Sequence, residues 1–170
     1  MNKLILLLSL ILSVSLFSCD NDKKDDPTPP PPPPTKANTL KYSIVDIGEL
    51  FDMVDITVEY TKADGTVASE PMTAKTWTKE ITGFKIPFKP TMKASFVKKA
   101  GFVAEEKTYM ITIKFEHNYK LSNNDGYFNE FGGTTGVKGK KNIENYINNL
   151  VANPMVYTFD VPVKREPSKE

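Results

Sequence analysis

The 170-residue chain contains one cysteine, one tryptophan and one histidine, and each scarcity removes a class of explanation. A single thiol, Cys19, cannot close an intramolecular disulfide. Any domain here must therefore hold together by packing alone, although many small exported domains lean on disulfides. The lone histidine, His117, has no second histidine or further cysteine to join it, which excludes the usual zinc clusters. No G-x-S-x-G elbow accompanies it, so a nucleophilic triad has no recognisable nucleophile. Net charge is nearly absent too, with 22 basic residues against 21 acidic. The lysines are scattered singly, without the basic stripe of a nucleic-acid binder, and no nucleic-acid partner is expected. Long apolar runs are confined to the first 18 residues.

What is present is most informative at the N-terminus. Met1-Asn2-Lys3 supplies a short positive start, and residues 4–17 follow as Leu, Ile, Val, Phe and Ser without a charge. Fourteen helical residues rise about 21 Å, short of the roughly 30 Å hydrocarbon core. Residues 1–18 therefore read as a signal sequence rather than a spanning helix. At its end, Leu16-Phe17-Ser18-Cys19 resembles a bacterial lipobox, with an apolar residue at −3, a small one at −1 and then the cysteine. The resemblance implies that the Cys19 thiol takes a diacylglyceryl group and that Cys19 becomes an acylated mature N-terminus. Two or more chains anchor stably where one holds only marginally.

Residues 19–35 form a tether. Asp20-Asn21-Asp22-Lys23-Lys24-Asp25-Asp26 resembles the Lys-plus-acidic export signal of surface-exposed lipoproteins in Bacteroidota-type bacteria. That resemblance implies an outer-membrane, lipid-anchored protein facing the cell exterior, with the membrane as its first partner. Residues 27–34 are seven prolines and one threonine. As polyproline II at about 3.1 Å per residue they would span roughly 25 Å and lift a domain off the head groups.

From residue 40 on, period-2 alternation dominates. Val54, Ile56, Val58 and Tyr60 share one face; Tyr109, Ile111, Ile113 and Phe115 repeat the pattern, as do Met155, Tyr157, Phe159 and Val161. Further strands are expected at 40–47, 73–81, 84–88 and 92–98, with a type I′ hairpin turn at Asp64-Gly65. Ile143, Ile147 and Leu150 stand at helical spacing, and Pro154 stops continuation. Residues 36–170 are thus expected to be an all-β domain. Its pattern suggests an immunoglobulin or fibronectin type III-like β-sandwich with one short helix inserted before the last strand.

Candidate sites are few. Residues 122–141 carry five glycines and the aromatics Tyr127, Phe128 and Phe131 among Asn123, Asn124, Asp125, Asn129 and Glu130. Read as a long loop, this stretch could stack rings on a sugar while amides bond its hydroxyls; the alternative is a loop folded back over the core edge. Trp77, between Lys75 and Lys79 on one face, reads either as a half-exposed platform or as a ring under lysine stems. His117 is expected to be a partly buried, hydrogen-bonded strand-end histidine. No catalytic, metal or cofactor site is assigned. The expectation is a non-catalytic binding module for a glycan or an envelope protein. A structural or assembly subunit is the first alternative and a small hydrolase the second.

Overall fold

The computed structural model describes residues 36–161. The signal sequence, Cys19, the tether and the last nine residues of the expected domain lie outside them. Eight strands and two helices follow in order: β1 (Thr39–Asp46), α1 (Leu50–Met53), β2 (Val54–Thr61), β3 (Val67–Pro71), β4 (Thr76–Thr82), β5 (Thr91–Lys98), β6 (Thr108–Lys120), β7 (Gly126–Lys138), α2 (Lys140–Ala152) and β8 (Met155–Thr158). They form two four-stranded sheets, β4-β1-β6-β7 and β3-β2-β5-β8, with every pairing antiparallel. The expected all-β sandwich with a helix before the last strand is the observed architecture. Its first two strands fall in different sheets, whereas a constant-type immunoglobulin domain pairs them.

Alternation explains why the sheets stack. Val54, Ile56, Val58 and Tyr60 of β2 are all buried, as are Tyr109, Ile111, Ile113 and Phe115 of β6. Each strand therefore has one apolar face, and the two faces are removed from water only against each other. Aromatic rings bridge the layers. Tyr60 of β2 lies 5.8 Å from Tyr42 of β1 and 5.4 Å from Trp77 of β4. The Tyr42 hydroxyl donates to the Thr61 carbonyl at 2.7 Å, so its polar tip is satisfied inside the core.

The crossover from β1 to β2 is pinned by a buried carboxylate. Asp46 accepts from the Gly48 amide at 2.8 Å and the Phe51 amide at 2.6 Å, which caps the single turn of α1. Gly48 lies so close to β6 that a Cβ there would sit 2.3 Å from the Met110 carbonyl oxygen. Glu49 then accepts from the Met110 amide.

Three local expectations are corrected. The hairpin after β2 is not type I′: only Gly65 has positive φ, at 84°. The Gly65 amide donates to the Lys62 carbonyl and the Lys62 amide to the Thr66 carbonyl. This is the three-residue loop that ends in a left-handed glycine, and Asp64 secures it by accepting from both the amide and the hydroxyl of Thr66. Residues 84–88 form no strand; Phe88 makes one isolated bridge to Val161. Pro87 and Pro90 lack the amide a ladder needs, and Phe84 stacks on Phe88 at 4.8 Å to plug that end of the core.

The third correction is the largest. The glycine-rich stretch read as a loop is β7, thirteen residues in unbroken register with β6 from Thr108↔Lys138 to Lys120↔Gly126. The turn between them is short. The Leu121 amide donates to the Asp125 carbonyl, and Asn124 takes the left-handed conformation at φ 71°. After β7, α2 turns Ile143, Ile147 and Leu150 inward and packs on β5 and β7, where it covers the open side of the sandwich. Each such buried aliphatic side chain contributes about 1.5–3 kcal/mol.

At Gly132 a side chain would collide with β6. The glycine's φ is 132°, and a Cβ would lie 2.2 Å from the Ile113 carbonyl oxygen. Gly133 beside it has nothing within 4 Å of that position. Gly132→Ala is therefore expected to destabilise the domain by about 2 kcal/mol or more, and Gly133→Ala by well under 1 kcal/mol. Urea denaturation of the two variants checks the contrast; equal losses would contradict it.

Candidate functional site

Among the described residues, the β6–β7 hairpin and β8 gather most of the exposed or loosely covered rings. Odd-numbered residues of β7 face the same side as the inward row of β6, because each lies opposite one of its members: Tyr127↔Tyr119, Asn129↔His117, Phe131↔Phe115. Yet β7 is the edge of its sheet, and the opposing sheet ends at the four-residue β8. The β7 row thus overhangs. Phe131 remains 49% exposed and Tyr127 38% exposed, while Phe115, His117 and Tyr119 behind them are buried.

The rings form a connected wall. Phe131 stacks on Tyr157 at 5.4 Å with planes 10° apart. Tyr157 lies 5.6 Å from Phe159, and Phe159 stacks on His117 at 3.5 Å. Tyr127 reaches both Tyr119, at 6.0 Å, and His117, at 6.1 Å. Two polar atoms are enclosed among these rings, His117 Nδ1 and the Tyr157 hydroxyl oxygen, and neither has a hydrogen-bond partner among the described residues.

This geometry sorts the residues singled out from the sequence. Tyr127 and Phe131 come together on one face. Phe128, 54% exposed, points to the opposite face beside Lys41, Ser43, Glu116 and Asn118, so the three aromatics do not form a single platform. Trp77 is only 7% exposed and packs on Tyr60 inside the sandwich. It cannot serve as a surface platform, because its face of β4 is turned to the core, with Ile81 buried on the same row and Lys79 reaching over the Tyr60 ring to ion-pair with Glu70. Cys19 lies outside the described residues.

The polar groups expected to bond a ligand are mostly engaged in the hairpin. Asn123 donates its side-chain amide to Asp125 at 2.6 Å and accepts from the Asp125 backbone amide. Asn124 accepts from Lys36, and Asn129 accepts from the Glu130 amide. Glu130 pairs with Lys114 across the strands. Among the described residues no group of three or more His, Cys, Asp and Glu side chains is placed to hold a metal ion. Sequence reasoning missed Tyr157 and Phe159 as partners of the aromatic row. Their shared face on the last strand was visible, but its position across the sandwich from β6 was not.

His117 also departs from its expected role. It is 1% exposed and its Nδ1 is unpartnered, rather than hydrogen-bonded at a strand end. Burial against Phe159, Tyr157 and Tyr119 disfavours the imidazolium and pushes its pKa from 6.5 down to about 4. A folded-state value below the unfolded one means that the unfolded chain takes up the proton first. The stability from this neutral histidine is complete above pH 6.5 and is lost as pH falls from 6.5 towards 4. The loss is on the order of 3 kcal/mol. Denaturant midpoints measured across that interval are expected to fall in the native chain and to flatten in His117→Phe. An equally steep fall in the variant would assign the acid sensitivity elsewhere.

Set against known proteins, the chain matches no family model, no curated sequence and no solved structure.

Proposed function

We propose that the chain is a lipoprotein, moored through acyl chains on Cys19 and held at the outer face of the outer membrane. Its sandwich acts as a non-catalytic binding module for a glycan, which it takes on the Tyr127–Phe131 side of the β6–β7 hairpin. The observation that carries the binding reading is the overhang: two half-exposed rings on one face of a strand anchored along its length. They stand four residues apart, about 13 Å along an extended strand, with Asn129 between them. Flat faces at the rim of a rigid sheet stack on apolar faces of a ligand with little ordering cost.

Glu49, Asp64 and Glu70 have carboxyl groups held below their usual range, the first by Lys107, the second by Thr66 and the third by Lys79. A general acid at neutral pH needs displacement in the other direction. A second reading, a structural subunit of an envelope assembly, draws on the open backbone of the β7 edge.

Two measurements test the proposal on the full chain. In a glycan array, detergent-solubilised protein is expected to retain a defined set of glycans, with Tyr127→Ala and Phe131→Ala each weakening binding about tenfold or more and Phe128→Ala leaving it nearly unchanged. Absence of any bound glycan, or indifference to the first two changes, would sink the binding reading. For the anchor, labelled palmitate is expected to enter the native chain and not Cys19→Ala, which should leave the membrane fraction. Equal labelling of both would remove the lipoprotein reading.

A further inference from the structure

The four sheet edges are not equally protected. β3 is five residues long and ends at Pro71, and β8 is four residues long and follows Pro154. β4 turns the charged Lys79 inward. Short length, proline and an inward charge are the devices that blunt an edge against pairing with another chain. β7 has thirteen residues, no proline, and a run from Glu130 to Gly136 in which every residue is exposed. Only the bend at Gly132 interrupts its regularity.

The register shows which backbone groups face outward. The Gly139 amide donates to the Lys107 carbonyl, and the Leu121 amide to the Asp125 carbonyl. Both contacts continue the β6–β7 pairing just past its ends, so odd-numbered residues of β7 turn their amides and carbonyls towards β6. Hydrogen bonding alternates residue by residue in an antiparallel strand. The even-numbered residues therefore point theirs off the edge.

We propose that this edge is where a second copy of the chain docks, β7 against β7 in antiparallel register about a two-fold axis at Thr134. Such a pairing must join even-numbered residues to even-numbered ones. Centred on Thr134, it sets Glu130 opposite Lys138 twice and Gly132 opposite Gly136 twice. Centred on Glu130 or on Lys138 it sets like charges together, and centred on Gly132 it leaves Glu130 only its own-chain partner Lys114 and Lys138 no anion. The Thr134 register thus matches both charges of the strand, and on the other face it sets Phe131 opposite Val137. Opposite charges and apolar pairs facing across strands stabilise a ladder, and like charges weaken it. The two sheets become one of eight strands with no long edge left open. Tyr127 lies beyond the paired segment whereas Phe131 lies within it, so Tyr127→Ala tests the ligand reading alone and changes at Glu130, Thr134 and Lys138 test the dimer.

The experiment uses the full chain in detergent. Sedimentation is expected to show a protein dimer, with Lys138→Glu raising its dissociation constant on the order of tenfold. The double change Lys138→Glu with Glu130→Lys is expected to restore it, an outcome that general loss of folding would not produce. Paired residues that exchange hydrogen bonds have Cα atoms about 5.5 Å apart, within disulfide reach. In a Cys19→Ser background, Thr134→Cys is therefore expected to cross-link copies on mild oxidation, while Thr78→Cys on the β4 edge is not. A native chain that stays monomeric up to about 100 μM, equal cross-linking at both positions, or failure of the double change to restore association would overturn the proposal.

Discussion

Strand β6 is the element on which the others depend. Its inward row, from Tyr109 to Tyr119, is buried at every second position, and it pairs with β1 on one side and β7 on the other. A row of six apolar or aromatic side chains that must leave water fixes which face of the sheet looks inward. A one-residue slip of either neighbour would turn that neighbour's side chains the wrong way. The registers of β1 and β7 follow from this requirement. The remaining sheet, with Tyr60, Phe96 and Met92 facing back, covers what β6 and β1 expose.

The same strand explains why the aromatic face has its particular form. β6 is long enough to carry β7 past the end of the opposing sheet, where β8 supplies only four residues. α2 turns Ile143 and Ile147 inward and packs on β5 and β7. Around the N-terminal half of β7, Tyr127, Phe131 and Tyr157 close ranks over His117 and Phe159 without fully shutting out solvent. A buried imidazole with an unpartnered nitrogen destabilises the charged form and leaves the domain sensitive to acid. The enclosed His117 Nδ1 and Tyr157 hydroxyl, without partners among the described residues, cost the fold free energy.

Much of the sandwich was legible in the residues, and the reason is periodicity. β2, β5 and β6 alternate cleanly because each has one face towards the core and one towards water. α2 announced itself by the spacing of Ile143, Ile147 and Leu150 and by the proline that stops it. β7 did not announce itself, because an overhanging edge strand has no buried row to impose alternation. Its glycines, which allow the close approach at Gly132, are the residues that normally argue for a loop. Trp77 misled for a related reason: charged neighbours in sequence suggested exposure, yet at a sheet edge Lys79 can bend its head to Glu70 while the neighbouring ring stays inside.

By itself the amino-acid order determined the all-β class, the inward faces of the long strands and the single amphipathic helix, since these follow from local hydrophobic period. It also carried the resemblance to exported lipoproteins, a matter of chemistry at Ser18-Cys19 rather than of folding. Only the tertiary structure decided that the glycine-rich stretch is a strand, that Trp77 is core, and that Tyr127 and Phe131 part company with Phe128. Those outcomes depend on which strand ends up beside which, and such long-range pairing is set by the summed burial of both sheets, which no local pattern encodes.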